Sequence, residues 1–63
     1  MTPEEERWAE ALAVQRLHSD HAPRHVAERI GALALCGDQD GVERWRAIAR
    51  RLDTLLSARG RVQ

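Results

Sequence analysis

The sequence predicts an all-α fold, a small three-helix bundle, from three observations. Apolar residues recur three and four positions apart, which is the spacing of a helix face. No stretch shows the alternating pattern of a strand. Residues that start and stop helices divide the chain into segments at about 3–18, 22–36 and 39–58. At 63 residues the chain is less than half of an average domain of about 150 residues, so we expect a single helical domain over residues 1–63.

The start of the first helix is indicated by the sequence TPEE at residues 2–5. It combines a capping hydroxyl, a proline at the first helical position and a glutamate at the third, which together form a capping box. Trp8 lies on one face of this helix, whereas Val14 and Leu17 lie on others. We therefore expect contacts on more than one side of the helix.

The second helix is predicted to follow a break at residues 19–23, where two capping residues precede a proline. Its apolar face is formed by residues at helical spacing: Val26, Ile30 and Leu33. Gly31 costs about 1 kcal/mol relative to alanine in a helix interior. We expect this glycine to allow close approach of a neighbouring helix.

Gly37 is predicted to end the second helix, and Asp38 or Asp40 to cap the third. The third helix has the clearest amphipathic pattern in the chain. Its apolar residues are Val42, Trp45, Ile48, Ala49, Leu52, Leu55 and Leu56.

Charge is balanced over the whole chain but not along it. Residues 1–43 carry four arginines against nine acidic residues, whereas residues 44–63 carry six arginines against Asp53 alone. Zero net charge argues against collecting nucleic acid or anionic lipid. No apolar run is long enough to span a bilayer and the acidic amino end is unlike a signal peptide, so a cytoplasmic location is expected.

Catalysis and cofactor binding find little support in the sequence. No glycine-rich phosphate loop or serine-histidine-aspartate pattern is present, and lysine is absent, so we expect neither an enzyme, nor a cofactor, nor a small-molecule substrate. His18, His21 and His25 are weak candidates for a metal site, because zinc sites use four ligands and Pro23 interrupts the turn. Cys36 follows a helix carboxyl end, which disfavours a thiolate, and we interpret it as a small buried hydrophobic residue.

Nucleic-acid binding is the alternative function, because three short helices with a basic third one outline a helix-turn-helix. The arginines that would serve it are Arg44, Arg46, Arg50 and Arg51. Acidic residues at the start of the third helix and the neutral total charge argue against it.

Protein interaction is the function that the sequence favours. So small a core barely offsets the entropy of ordering the chain, and one cysteine cannot form an internal disulfide. Pairing with a second copy, or with another protein, would cover the remaining apolar surface. The predicted interface residues are Trp8, Gly31, Trp45, Ile48, Leu52 and Leu55.

Four stretches carry a resemblance to a known family: RWAEA at 7–11, AERIGALA at 27–34, GD at 37–38 and GVERWRAIA at 41–49. Together they resemble a family of short uncharacterised alphaproteobacterial proteins, a domain of unknown function. The resemblance implies a small helical protein and supplies no activity, ligand or site residue. Abundant arginine and alanine without lysine also suit a GC-rich bacterial genome.

Overall fold

The helical residues form two uninterrupted segments separated by one tight turn. The computed structural model describes residues 1–60, with side chains through residue 58. In the first segment, α1 (Pro3–His18) passes through a 3-10 turn (Ser19–His21) directly into α2 (Ala22–Leu35). The second segment is α3 (Gln39–Gly60).

The all-α class is confirmed, and none of residues 1–60 lies in a strand. The prediction of three separate helices is wrong, since the structure has two helical segments. The physical reason lies at the bend. The Ser19 N–H still bonds the Gln15 carbonyl, and the Ala22 N–H bonds the Ser19 carbonyl, so the backbone changes direction without leaving helical hydrogen bonding.

The amino end of α1 is closed by the predicted capping box. The Glu5 N–H donates to the Thr2 hydroxyl at 3.1 Å, and the Thr2 N–H donates back to Glu5 Oε1 at 2.9 Å. The bond from the Thr2 backbone N–H is the main cause of a pKa of Glu5 below its ordinary value, because it favours the ionised carboxylate.

The turn between α2 and α3 is a Schellman motif followed at once by a helix cap. Gly37 has φ 77°, and its N–H bonds the Ala34 carbonyl while the Asp38 N–H bonds the Leu33 carbonyl. The Asp38 carboxylate then accepts the Gly41 N–H at 2.9 Å and caps α3. The predicted roles of Gly37 and Asp38 are confirmed, and the turn makes α2 and α3 antiparallel neighbours.

The core lies where α3 packs against both α1 and α2. Its buried members are Ala11 from α1, Ala22 and Val26 from α2, and Ile48 and Leu52 from α3. Six apolar residues pack around them and stay half-buried: Val14, Ile30, Trp45, Ala49, Leu55 and Leu56. Because two of the five buried residues in this cluster are alanines, the core is thin and leaves apolar surface at its edge.

Two predictions about α2 and its end are wrong. A side chain at Gly31 would meet nothing within 4 Å, so this glycine allows no close approach of helices within the chain. Cys36 is exposed rather than buried, with its Sγ 3.4 Å from the Leu33 carbonyl oxygen. Both residues lie away from the Val26 side of α2, which is the side that packs on α3. Within the part of the chain that the structure describes, no helix has the length and apolar character needed to cross a membrane.

Candidate interaction surface

An apolar groove of about 190 Å³ lies between α2 and α3. Residues of α2 and α3 line it in equal number: Pro23, Val26, Ala27, Ile30, Ala49, Leu52, Asp53 and Leu56. Only Asp53 carries a charge. We call this surface the α2–α3 groove.

The groove exists because short side chains face one another across the two helices. On α2, Val26 is directed into the core, and the neighbouring Ala27 is exposed on the groove side. On α3, Leu52 forms part of the floor and Ala49 lies one turn earlier. Alanines at 27 and 49 are too short to fill the space between the helix backbones, so the contact stays open at its edge.

The structure distributes the predicted interface residues between core and surface. Ile48 and Leu52 are each 2% exposed, so both belong to the chain's own core, and Leu52 also forms part of the groove floor. Trp45 and Leu55 are half-buried and pack against that core. Gly31 is exposed and lies outside the groove lining. The interface predicted from sequence is therefore not brought together as one surface.

Both tryptophans make contacts within the chain. The Trp45 ring meets His25 edge to face at 5.8 Å between centroids, and the guanidinium carbon of Arg29 lies 5.8 Å from the Trp45 centroid. Trp8 is covered by Arg51 at the same distance. A cation over an aromatic face is attracted by the ring quadrupole. Trp45 thus ties α3 to α2, and Trp8 ties α1 to α3.

Two of the four candidate nucleic-acid arginines are engaged by carboxylates of α1. Arg44 donates from Nε and Nη2 to Glu10, and Arg51 donates to Glu4 at 2.8 Å. Glu10 also accepts from Arg7 at 2.7 Å. Desolvation opposes ionisation of Glu10, but the hydrogen bonds from Arg44 and Arg7 outweigh it and hold the pKa of Glu10 below its ordinary value. The bond to Glu10 likewise raises the pKa of Arg7.

The other two arginines, Arg46 and Arg50, are exposed on α3. Neither forms an ion pair with another residue that the structure describes. The basic face predicted for the third helix is thus divided: half of it pairs with carboxylates of α1 and half is exposed.

The histidine cluster is only partly assembled. The His18 and His25 rings stack with centroids 3.8 Å apart and planes 16° apart, which ties the end of α1 to α2. His21 is exposed in the 3-10 turn. Among the residues that the structure describes, no three histidine, cysteine or acidic side chains are grouped as metal ligands.

The break predicted at residues 19–23 takes the form of a bend at Ser19, whose positive φ was not predicted. Its φ of 49° and ψ of −122° are close to those of the first central residue in a type II′ turn, where glycine is preferred. A second depression of about 370 Å³ lies beside it, lined by Gln15, Ser19, Asp20, Pro23 and Leu56.

Sequence reasoning also missed the groove, although a signal for it was present. Pro23, Ala27 and Ile30 follow one another at four and three residues, as do Ala49, Asp53 and Leu56 on α3. Ile30, Ala49 and Leu56 already belong to the predicted apolar faces of the two helices. The groove extends these faces to one side through Pro23, Ala27 and Asp53. This extension is not evident from the sequence, because alanine is common on exposed as well as on buried faces of helices.

A family model described as a family of unknown function, DUF6961, matches residues 3–60. The match takes in α1, α2 and α3 completely. The chain belongs to this family. No curated protein and no solved structure matches it. Membership confirms the resemblance to an uncharacterised domain family and assigns no residue of the DUF6961 chain to a role.

Proposed function

We propose that the chain is a non-enzymatic protein-interaction module that uses the α2–α3 groove as its binding surface. The groove itself carries the proposal: seven of its eight lining residues are apolar, yet it opens on the surface of the molecule. Contiguous exposed apolar surface, bordered by polar residues, is typical of a protein contact. A single bacterial domain over residues 1–63, located in the cytoplasm, is part of the same proposal.

The small core supports this proposal. Ordering a chain of this size costs roughly 1.5 kcal/mol per residue, so a domain with few buried side chains has little stability to spare. Covering the groove would stabilise the complex by about 25 cal/mol for each Å² of apolar surface that is removed from contact with water. A partner seated there stabilises the fold while it binds.

The alternative, a helix-turn-helix-like nucleic-acid-binding regulator, depends on arginines that face solvent. Arg44 and Arg51 are paired with α1 carboxylates, which leaves Arg46 and Arg50 for phosphates. Two arginines on a chain of zero net charge provide little electrostatic attraction for the phosphates of a nucleic acid. We therefore rank this function second.

The test of the groove compares Ala27→Arg with Ala32→Arg. Both alanines are exposed on α2, but Ala27 lines the groove and Ala32 does not. Each variant should keep the helical circular dichroism spectrum of the wild-type chain, because neither replaces a buried side chain. Each purified chain is then immobilised and challenged with soluble wild-type chain and with a bacterial lysate.

We expect Ala27→Arg to lose at least about nine-tenths of the protein retained by the wild-type chain, a loss of about 1.4 kcal/mol or more in binding. Ala32→Arg should retain the wild-type amount. If Ala27→Arg retains as much as the wild-type chain, the groove is not the binding surface and the proposal fails.

A further inference from the structure

We infer that the occupant of the α2–α3 groove is the same groove of a second copy, in a two-fold symmetric dimer that pairs Arg46 with Asp53 of the partner subunit. This inference rests on the proposed function, because it names the partner for the surface proposed there. It is carried by the order of charges along the groove side of α3.

Arg46 and Asp53 lie on one line of α3, with Ala49 between them. Seven residues separate them, which is two helical turns or about 10.5 Å along the axis. Both side chains are exposed, and Asp53 lines the groove. Neither forms an ion pair with any other residue in the described part of the chain. This line of α3 therefore presents one positive and one negative charge two turns apart, with the short side chain of Ala49 between them; Arg46 lies beyond the residues that line the groove. Arg50 is also exposed, but it follows Ala49 directly and so points about 100° away from it around the helix.

A two-fold axis midway between these two charges makes the face complementary to itself. Such an axis reverses the direction of α3, so Arg46 of one copy faces Asp53 of the partner subunit, and the reverse pair forms at the other end. Opposite charges across an interface fix register and exclude other arrangements. One pair of residues in the sequence thus supplies two ion pairs in the dimer.

The shape of the surface agrees with this arrangement. Ala49 lies at the centre, and the distance between packed helices falls when small side chains occupy the contact. Ile30 on α2 and Leu56 on α3 are further half-buried residues of the groove. In the dimer they would be covered by their counterparts, which completes the burial that the chain alone leaves unfinished.

Other occupants fit the charges less well. A uniformly acidic helix would meet Asp53, and a uniformly basic one would meet Arg46. The face instead favours a helix that carries the opposite charges in reversed order at a spacing of seven residues. A second copy related by two-fold symmetry satisfies that requirement with no additional sequence.

The experiment reverses each charge alone and then combines the two variants. In Arg46→Asp, aspartates oppose each other at both ends of the dimer; in Asp53→Arg, arginines do. Each variant alone should raise the dimer dissociation constant, measured by sedimentation, by at least about tenfold, since like charges in apposition are costly. An equimolar mixture of the two variants should recover association, because the heterodimer again has an opposite pair at each end.

Arg16→Asp is the matched control, since Arg16 is exposed on α1 and the change in net charge equals that of Arg46→Asp. It should dimerise like the wild-type chain. A wild-type chain that stays monomeric over a hundredfold concentration range overturns the inference, and so does a mixture that associates no better than its components. If that monomer still captures another protein and Ala27→Arg abolishes the capture, only the second copy is excluded and the proposed function stands.

Discussion

The two contacts of α3 differ in chemistry and in completeness. Against α1, α3 is held at its rim by ion pairs, Arg51 with Glu4 and Arg44 with Glu10. Against α2, no such pair occurs among the described residues. The contact consists of apolar side chains around Val26 and of the Trp45 ring against His25 and Arg29. Long charged side chains cover the first contact near Glu4 and Glu10, and a partly polar depression beside Gln15 is left at its other end. The second contact remains open as the apolar α2–α3 groove.

This difference distinguishes the contacts that stabilise the fold from the surface that remains available for binding. Ion pairs near a surface contribute about 0 to 1 kcal/mol each, so the charged rim orients α1 more than it stabilises the chain. The stability lies in the thin core that α3 shares with both neighbours. Because the rim covers part of the α1 side, the most apolar surface left open lies on the α2 side, and there we locate binding.

The largest effect is expected from the apolar contact. Leu52 is 2% exposed and belongs both to the core and to the groove floor, so Leu52→Ala should lower the free energy of unfolding by about 2 to 5 kcal/mol. Leu35→Ala is the control, because Leu35 is 92% exposed, and its effect should stay within about 0.5 kcal/mol. Urea denaturation followed by circular dichroism measures both. Equal effects would contradict the location of the core.

Substitutions at two glycines, Gly31 in α2 and Gly41 at the start of α3, test the α2–α3 contact. A side chain at Gly31 meets open space, so Gly31→Ala should raise the free energy of unfolding by up to about 1 kcal/mol. A Cβ at Gly41 would lie 2.6 Å from Asp38 Oδ2 and 3.0 Å from Leu33 Cδ2, so the Asp38 cap would have to move. Gly41→Ala should therefore be less stable than Gly31→Ala by about 1 kcal/mol or more. The reverse order in thermal melts would show that the α2–α3 turn tolerates a side chain.

The smallest effect is expected from the charged contact. Glu10→Gln removes the ion pairs to Arg7 and Arg44 and should cost about 0 to 1 kcal/mol, less at high salt because exposed charges are screened. A loss as large as that of Leu52→Ala would invert the comparison of the two contacts. Melts at low and at molar salt provide the measurement.

The same carboxylate gives a pH dependence with a defined sign. The pKa of Glu10 is lower in the folded chain than in the unfolded one, so its contribution is fully present above the unfolded pKa, about 4.3. It is lost as pH falls through the lower folded pKa. The wild-type chain should therefore lose more stability than Glu10→Gln between about pH 5 and pH 3, and parallel pH profiles for the two chains would contradict this.

Local features of the fold were determined by the sequence itself. The capping box at Thr2 and Glu5, the end of α2 at Gly37 and the cap at Asp38 depend on residues within a few positions of one another. Hydrogen bonds and backbone preferences over that range depend on neighbouring residues and not on tertiary contacts, so the sequence is sufficient to predict these features. The amphipathic pattern of α3 likewise predicted its buried Ile48 and Leu52.

Only the tertiary structure decided how those elements meet. The bend at Ser19 keeps helical hydrogen bonds that Pro23 and its neighbours were expected to interrupt, so two predicted helices form one segment. Gly31 and Cys36 carry no local signal of which side of α2 packs on α3. Pairing of Arg44 with Glu10 spans 34 residues in the chain, and the groove depends on alanines 22 residues apart facing one another. Contacts over such distances depend on the lengths of the side chains and on how the helices are placed relative to one another. The periodicity of apolar residues along a single helix predicts neither the contacts nor the placement.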